Sequence, residues 1–473
     1  MAVRRPVLVL AAVAALAAWL DFSRLQEQHH ADSLVPVLSG LTAWTPFFWG
    51  QDRFGMLIPL LALPVRDPFA HLLFQGFLVI GLSCWGLLLL VRTLLPDTSP
   101  WVPAAALLLV LLILLAPVDQ RFNILWVQPY TLSFALGLSA VALCRRPGAL
   151  RLGGAALLYL AAAWVNVAVA LVVAPLVLWR ALVIDAGRAG LARSRLLLLN
   201  AALLGLATFC STRLSKAVTL PHTRVDLLPT AAWRTGATEL FSSASDDPAI
   251  RRWMLVGALL AAGGLLSLLS PRVRAQARPT LLAAAGLALT ASVPFAAAAT
   301  SRWVAENAYS LRYLTPPLLL LQAAFCLLAT LPLLALPLGF RGRLVWASTA
   351  AVALSVLVSV GPPSRHAVVQ AFESRWGDAA RNVIASRATH VTGDYWKVWP
   401  TVFYADVLLG TAGRHDWPYG ITDRSIATLT KARAVSPLRV AALDGRGMWL
   451  GLLGPRAWVV AERHPTYLLL TVR

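Results

Sequence analysis

The feature that most restricts this chain is the recurrence of long apolar runs with almost no charge in them. They can be read near 6–20, 69–91, 101–117, 128–144, 152–164, 167–179, 196–210, 253–270, 280–298, 314–337 and 344–360. The hydrocarbon core of a bilayer is about 30 Å thick and takes about 20 helical residues to cross. Inside it every backbone N–H and C=O must be bonded within the protein, which a helix does by itself. The sequence therefore predicts a mostly α, polytopic membrane protein with about eleven transmembrane helices. Only 13% of the residues are charged, about half of what a soluble domain carries. The runs 152–164 and 167–179 are short and meet at Trp164-Val165-Asn166, which predicts a helical hairpin broken at the membrane surface.

The net charge of +20 points first to nucleic acid, but that partner requires basic residues clustered on one face. Here they alternate with the spans. One set of loops holds Arg92, Arg145, Arg146, Arg151, Arg180, Arg188, Arg193, Arg195, Arg272, Arg274, Arg278, Arg341 and Arg343, with only Asp97 and Asp185 opposing them. By the positive-inside rule this set is cytoplasmic, along with Arg4 and Arg5 at the N-terminus. The other set carries nearly all the carboxylates outside the tail, and an odd span count puts the tail on that external side. Met-Ala-Val-Arg-Arg-Pro before an apolar run resembles a signal peptide, but Ala17-Ala18-Trp19-Leu20 is a poor cleavage site, so an uncleaved first span is expected. Cys84, Cys144, Cys210 and Cys326 fall in or beside spans with no C-x-x-C, and read as buried thiols.

The cytoplasmic connections are short, so the working face is external, where four long segments lie at 21–67, 211–252, 299–313 and in the tail. A membrane domain is predicted over 1–361 and a soluble extracytoplasmic α/β domain over 362–473. In the first loop, Phe54 to Pro64 is too short to span and is expected to lie along the interface, with Trp44, Phe47, Phe48 and Trp49 as aromatic anchors. In the tail, Val368 to Ala385 reads as a polar helix. Leu438–Leu443, Ala457–Ala461 and Tyr467–Val472 read as strands, and Asp444-Gly445-Arg446-Gly447 as a turn.

Candidate chemistry follows the external loops. Asp32 and Asp52 are carboxylates able to deprotonate an acceptor hydroxyl if they lie within hydrogen-bond reach of it. Their bland alternative is a solvated loop acid, or an Asp52–Arg53 pair. His29 and His30 lack the further ligands a metal would need, and read instead as residues that meet phosphate or water. Arg302 and Arg312 bracket the head of a span, where a guanidinium can grip a lipid phosphate with two parallel hydrogen bonds. Lys216 and Arg224 add cations in the loop 211–252, a candidate lid. Glu306, Asn307, Tyr309 and Tyr313 are candidates for donor or acceptor binding. So are Asp394, Tyr395 and Trp396, because aromatic faces beside an acid suit sugar rings, although Trp396 and Trp399 also fit a core.

An external acidic loop after the first span, a long later external loop, an external soluble tail and the run Asn307-x-Tyr309-x-x-Arg312-Tyr313-x-x-Pro316 together resemble the GT-C superfamily of integral-membrane glycosyltransferases. The resemblance implies a polyprenyl-phosphate-linked sugar donor and an extracytoplasmic glycan, lipopolysaccharide or protein acceptor, at the outer face of a bacterial cytoplasmic membrane. It implies Asp32 as general base, with Asp52 assisting or replacing it, and Arg312 as the holder of the leaving phosphate. Asp32 is flanked by Ala31 and Ser33, so the paired acid usual in the family is absent, and the choice among Asp21, Asp32 and Asp52 stays open. No nucleotide, cofactor or metal is expected. A transporter or flippase of a lipid-linked sugar is the alternative. It would place ionisable groups at the bilayer midplane and often shows related halves, neither of which the sequence displays.

Overall fold

A computed structural model describes residues 28–50, 54–95, 102–127, 130–145, 148–186, 190–219, 226–337, 365–422, 437–445, 447 and 449–472, with isolated positions between 340 and 358. The expected first span at 6–20, and with it Asp21, Asp52 and Arg224, lies outside the described residues. The expected span at 344–360 is described only at scattered positions.

The chain is mostly helical, and six helices are long and apolar enough to cross a membrane: Pro68–Leu94, Val167–Ile184, Ser194–Val218, Pro248–Leu269, Arg278–Thr300 and Leu311–Ala335. Val118–Trp126 and Tyr130–Cys144, bent by 44°, make a seventh if taken as one span. Val102–Leu114 has 13 residues, about 20 Å of helix, and is short of a bilayer core by itself. The expected break between the two short runs falls at Asn166, which leaves helical geometry at φ −161° and ψ 115°. Its side chain accepts from the Ala168 N–H at 2.9 Å and so starts the next helix.

The chain divides into two compact units. One holds the described residues of 79–214 and 223–361; the other holds those of 22–78, 215–222 and 362–473. In the first unit, exposed positions of the spanning helices are apolar, such as Leu198, Leu206 and Phe209 on one and Leu255, Leu259 and Leu266 on another. In lipid these faces need no cover. The inward faces use small residues: a Cβ at Gly257 would collide with the Gln322 side chain, and one at Gly264 with the Leu328 carbonyl. Their absence lets Pro248–Leu266 lie directly on Thr315–Ala329, and Gln322 Nε2 then donates to the Trp253 carbonyl at 3.0 Å.

Among the described residues, the second unit includes the helices α1 (Ala31–Leu41), α2 (Arg365–Ala385) and α3 (Tyr395–Thr411), and five strands. These strands are β1 (His390–Thr392), β2 (Tyr419–Ile421), β3 (Arg439–Ala442), β4 (Trp458–His464) and β5 (Tyr467–Val472). They form one sheet in the order β2-β1-β3-β5-β4. β1 runs parallel to both β2 and β3, and β5 antiparallel to both β3 and β4. The expected tail helix, three strands and turn are all present, and the turn has Gly445 and Gly447 at positive φ with the Gly447 N–H on Asp444 Oδ1.

Two expectations are corrected. The residues 22–78 fold with the tail and not with the membrane domain that was predicted to span 1–361. Phe47, Phe48 and Trp49 are buried in this unit and are not interfacial anchors. Trp49 lies 4.8 Å from the ring of Trp399, which is itself fully buried on α3. Two large indoles that exclude water together fix the loop more strongly than an interfacial position would.

Candidate functional site: a capped carboxylate and a strained arginine turn

The first cluster lies in the second unit around Asp32. This residue is not on an open loop, as its surroundings suggested, but in the first turn of α1, where it is 4% exposed. The helix starts here because His30 caps it. The Asp32 N–H donates to His30 Nδ1 at 3.2 Å, and the His30 N–H donates to Ser33 Oγ at 3.1 Å. This is a capping box with histidine and serine in place of the usual residues. A carboxylate in the first turn also meets the positive end of the helix dipole. Asp32 Oδ1 accepts from the Tyr395 hydroxyl at 2.6 Å, a bond between residues 363 positions apart.

The surrounding side chains divide into buried and open ones. His29 is 1% exposed and stacks on Phe372 at 5.9 Å. The Ser33 hydroxyl donates to the His30 carbonyl at 2.9 Å. Ser33 Oγ also lies within hydrogen-bond distance of His29 Nδ1, at 3.1 Å. Burial first, and the neighbouring His30 second, push the His29 pKa down to about 3. Burial thus favours the neutral form of its ring. Trp396 is 45% exposed and packs edge-on against His30 at 5.4 Å and Tyr395 at 5.1 Å. Asp394 is the N-cap of α3, with Oδ1 accepting the Trp396 N–H at 2.9 Å. Of the predicted trio, Asp394 positions the helix, Tyr395 faces the carboxylate, and Trp396 presents an open ring.

The second cluster lies in the first unit. Arg312 Nη2 donates to Asn307 Oδ1 at 2.9 Å and to the Tyr313 hydroxyl at 3.1 Å, with its guanidinium 5.0 Å from the Tyr313 ring centre. Asn307 is itself held, its Nδ2 donating to the Trp303 carbonyl at 2.7 Å. Between them the chain reverses after the helix Arg302–Glu306, with Ala308 at φ 51° and Tyr309 at φ 50°. Two consecutive non-glycine residues in the left-handed region store strain of about 1–2 kcal/mol each. The turn closes by Tyr309 N–H to Val304 O at 3.0 Å and Ala308 N–H to Ala305 O at 3.0 Å. Gln120 holds the following segment, with Nε2 donating to the Leu311 carbonyl at 3.2 Å and Oε1 accepting from Thr315 Oγ1 at 3.1 Å.

The remaining predicted cations behave differently. Arg302 pairs with Asp226 at 4.0 Å, and both side chains are about half exposed, an arrangement worth little by itself. Its backbone matters more: the Arg302 N–H donates to the Asp226 carbonyl at 2.9 Å, and the Leu228 N–H to the Thr300 carbonyl at 2.8 Å. Residues 226–228 of the expected lid are thus tied to the 300–302 segment. Lys216 is exposed near the end of the helix Gly190–Val218, and Glu306 is exposed beside Asn307. Among the described residues, no three His, Cys, Asp or Glu side chains come together as a metal-binding group.

Sequence reasoning passed over Gln120 and Asp406. Asp406 lies on α3 eleven residues after Tyr395, on the same face, and is fully buried. Neither of its carboxylate oxygens has a hydrogen-bond partner among the described residues, and burial raises its pKa well above the usual carboxylate range. The available signal was a lone acid inside the apolar run Val402-Phe403-Tyr404-Ala405-Asp406-Val407-Leu408-Leu409.

Each unit thus holds one cluster: a carboxylate fixed by a helix cap and a tyrosine in the second, and a guanidinium fixed by an amide and a phenol in the first. Compared with known families and curated proteins, the chain matches no family model and no curated sequence.

Proposed function

We propose that the protein is an integral-membrane glycosyltransferase of the GT-C type. On this reading it has about eleven spans and sits in a bacterial cytoplasmic membrane with the tail outside. It moves a sugar from a polyprenyl-phosphate donor to a hydroxyl of an extracytoplasmic glycan, lipopolysaccharide or protein. The observation that carries this reading is the Asp32 carboxylate, in a segment assigned to the external side, held at 2.6 Å by Tyr395 of the tail.

The chemistry is a single displacement. Asp32 takes the proton of the acceptor hydroxyl, whose oxygen forms a bond to the sugar C1 as the bond from C1 to the phosphate oxygen breaks. Polyprenyl phosphate leaves with the electron pair, and its growing charge calls for a cation, the role proposed for Arg312. The donor is already activated, so the residues supply position, a base and a cation. Because Asp32 is buried, the acceptor must come within about 2.6–3.2 Å of it by displacing neighbours, and the half-exposed Trp396 is the group placed to move.

The test is transfer from polyprenyl-phosphate sugars by the full-length protein in proteoliposomes. Asp32→Asn is expected to lower turnover by roughly 10³-fold while donor still binds, and Arg312→Ala to weaken donor binding as well as turnover. Wild-type turnover in both variants would reject the assignment. Movement of donor across the bilayer without sugar transfer would instead favour the flippase.

A further inference from the structure

The tail has a second feature, at the opposite end of α3 from Asp32. A cavity of about 300 Å³ opens where β1 and β2 begin and where α2 and α3 end. This is the lower limit of small-molecule sites, which run from about 300 to 1,000 Å³. Its floor is apolar, from Val383, Ala388 and Leu409, and its rim is polar and aromatic.

The rim is organised. Arg414 Nε donates to Asp416 Oδ1 at 3.0 Å, and this pairing holds the Asp416 carboxyl below the usual range, so that it stays ionised. Trp417 Nε1 donates to the Arg414 carbonyl at 3.2 Å, and His415 lies edge-on to the Trp417 ring at 5.8 Å. Donors and an acceptor thus stand in fixed positions beside an aromatic face.

Arg387 is the residue least explained by folding. α2 and α3 both end in the same motif. The Arg387 N–H bonds to Ile384 O and Ala388 N–H to Val383 O, while Gly413 N–H bonds to Gly410 O and Arg414 N–H to Leu409 O. The motif needs a left-handed residue, normally glycine. α3 uses Gly413 at φ 67°; α2 uses Arg387 at φ 52°, exposed at the cavity rim. A basic residue complements the end of a helix dipole, but one turn earlier it would do so without strain.

These facts select a ligand class. Asp416 neutralises Arg414, and two helix C-termini offset the charge of Arg387, so the rim carries little positive charge for a phosphate, while an apolar ligand would strip water from Asp416 and the guanidinium groups with nothing in return. A neutral sugar ring has a C–H face for Trp417 and hydroxyls for Asp416, Arg414 and Arg387. We propose that this cavity is a binding site for a neutral saccharide unit. Its role as a subsite for an acceptor glycan rests on the glycosyltransferase reading, and the binding itself does not.

The experiment is saturation-transfer NMR on the full-length protein in nanodiscs, with the methyl glycosides of glucose, galactose, mannose and N-acetylglucosamine as probes. At least one is expected to bind in the millimolar range, and Trp417→Ala and Arg387→Gly to weaken it ~5-fold or more. Glycine suits the left-handed position, so Arg387→Gly removes the side chain without threatening the fold. Absence of binding by all four probes, or binding that ignores both cavity substitutions, overturns the proposal. If a glycoside binds here but no polyprenyl-phosphate sugar is ever transferred, the saccharide site stands and the glycosyltransferase reading falls. If transfer occurs without glycoside binding, the reverse holds.

Discussion

The carboxylate cluster and the arginine cluster are built in opposite ways. Arg312 is held by Asn307 and Tyr313, five residues and one residue away, on a turn that closes on itself. Asp32 is held by Tyr395 across 363 residues, and around it lie Phe372, Trp396 and a helix cap. The first arrangement is local and strained; the second is non-local and buried. A local turn survives damage elsewhere in the chain, whereas the position of a buried carboxylate depends on everything packed around it. The two should therefore fail under different substitutions.

The largest separation is expected from Trp399→Ala. Trp399 is fully buried, rests on Trp49 and fills the space that Gly420 of β2 leaves open. Removing a buried indole costs about 3–5 kcal/mol. The thermal midpoint of the second unit, followed in the full-length protein by tail proteolysis, should fall steeply. Protection of the 302–313 segment should not change. Equal loss in both segments would mean that the two clusters do not fail independently.

Tyr395→Phe is a narrower cut. It keeps the ring packing and removes one donor, leaving a buried carboxylate oxygen without that partner, at about 1–3 kcal/mol. Turnover should fall, and the thermal midpoint should fall with it. An unchanged thermal midpoint would show that Asp32 does not depend on the tail hydroxyl.

What the sequence made legible follows the same division. Six of the eleven expected spans appear among the described residues as helices long and apolar enough to cross a bilayer, and these were readable because the bilayer imposes length and apolarity on each run independently of the others. Asn307, Tyr309, Arg312 and Tyr313 were readable as a group because the turn that joins them is local. In the tail, β3 and β4 showed as short alternating runs and β5 as a closing strand, but β1 and β2 have three residues each, too few for a period to appear. α3 was hidden because Tyr395-Trp396-Lys397-Val398-Trp399-Pro400 looks like a binding surface, while in the fold most of these side chains are core. The helix at Asp32 was missed because its cap is a histidine, outside the usual Ser, Thr, Asp and Asn. The joining of 22–78 to the tail is a long-range packing event that no local pattern encodes.

Asp406→Asn tests whether the buried face of α3 is strained by charge. The folded-state pKa of Asp406 is raised above its ordinary value near 3.8. A group of this kind contributes most to stability below that value and loses its contribution as the pH rises through the folded pKa. The amide does not titrate. The substitution should therefore be nearly neutral around pH 4 and become stabilising by about 1–2 kcal/mol as the pH rises, read as a growing difference in thermal midpoint. A difference independent of pH would mean that Asp406 is balanced by a partner in the fold.

The smallest effect bears most directly on the local cluster. If the left-handed Ala308 and Tyr309 hold Arg312 in place, Ala308→Gly should relieve part of the strain and stabilise the first unit by about 0.5–1 kcal/mol. A looser turn also orders the guanidinium less, so the KM for donor should rise a few-fold with little change in kcat. The two readouts together separate strain that positions a side chain from strain that merely accompanies a tight reversal: in the second case stability rises and KM stays where it was. A loss of stability would show that the methyl group of Ala308 makes packing contacts worth more than the backbone strain it causes.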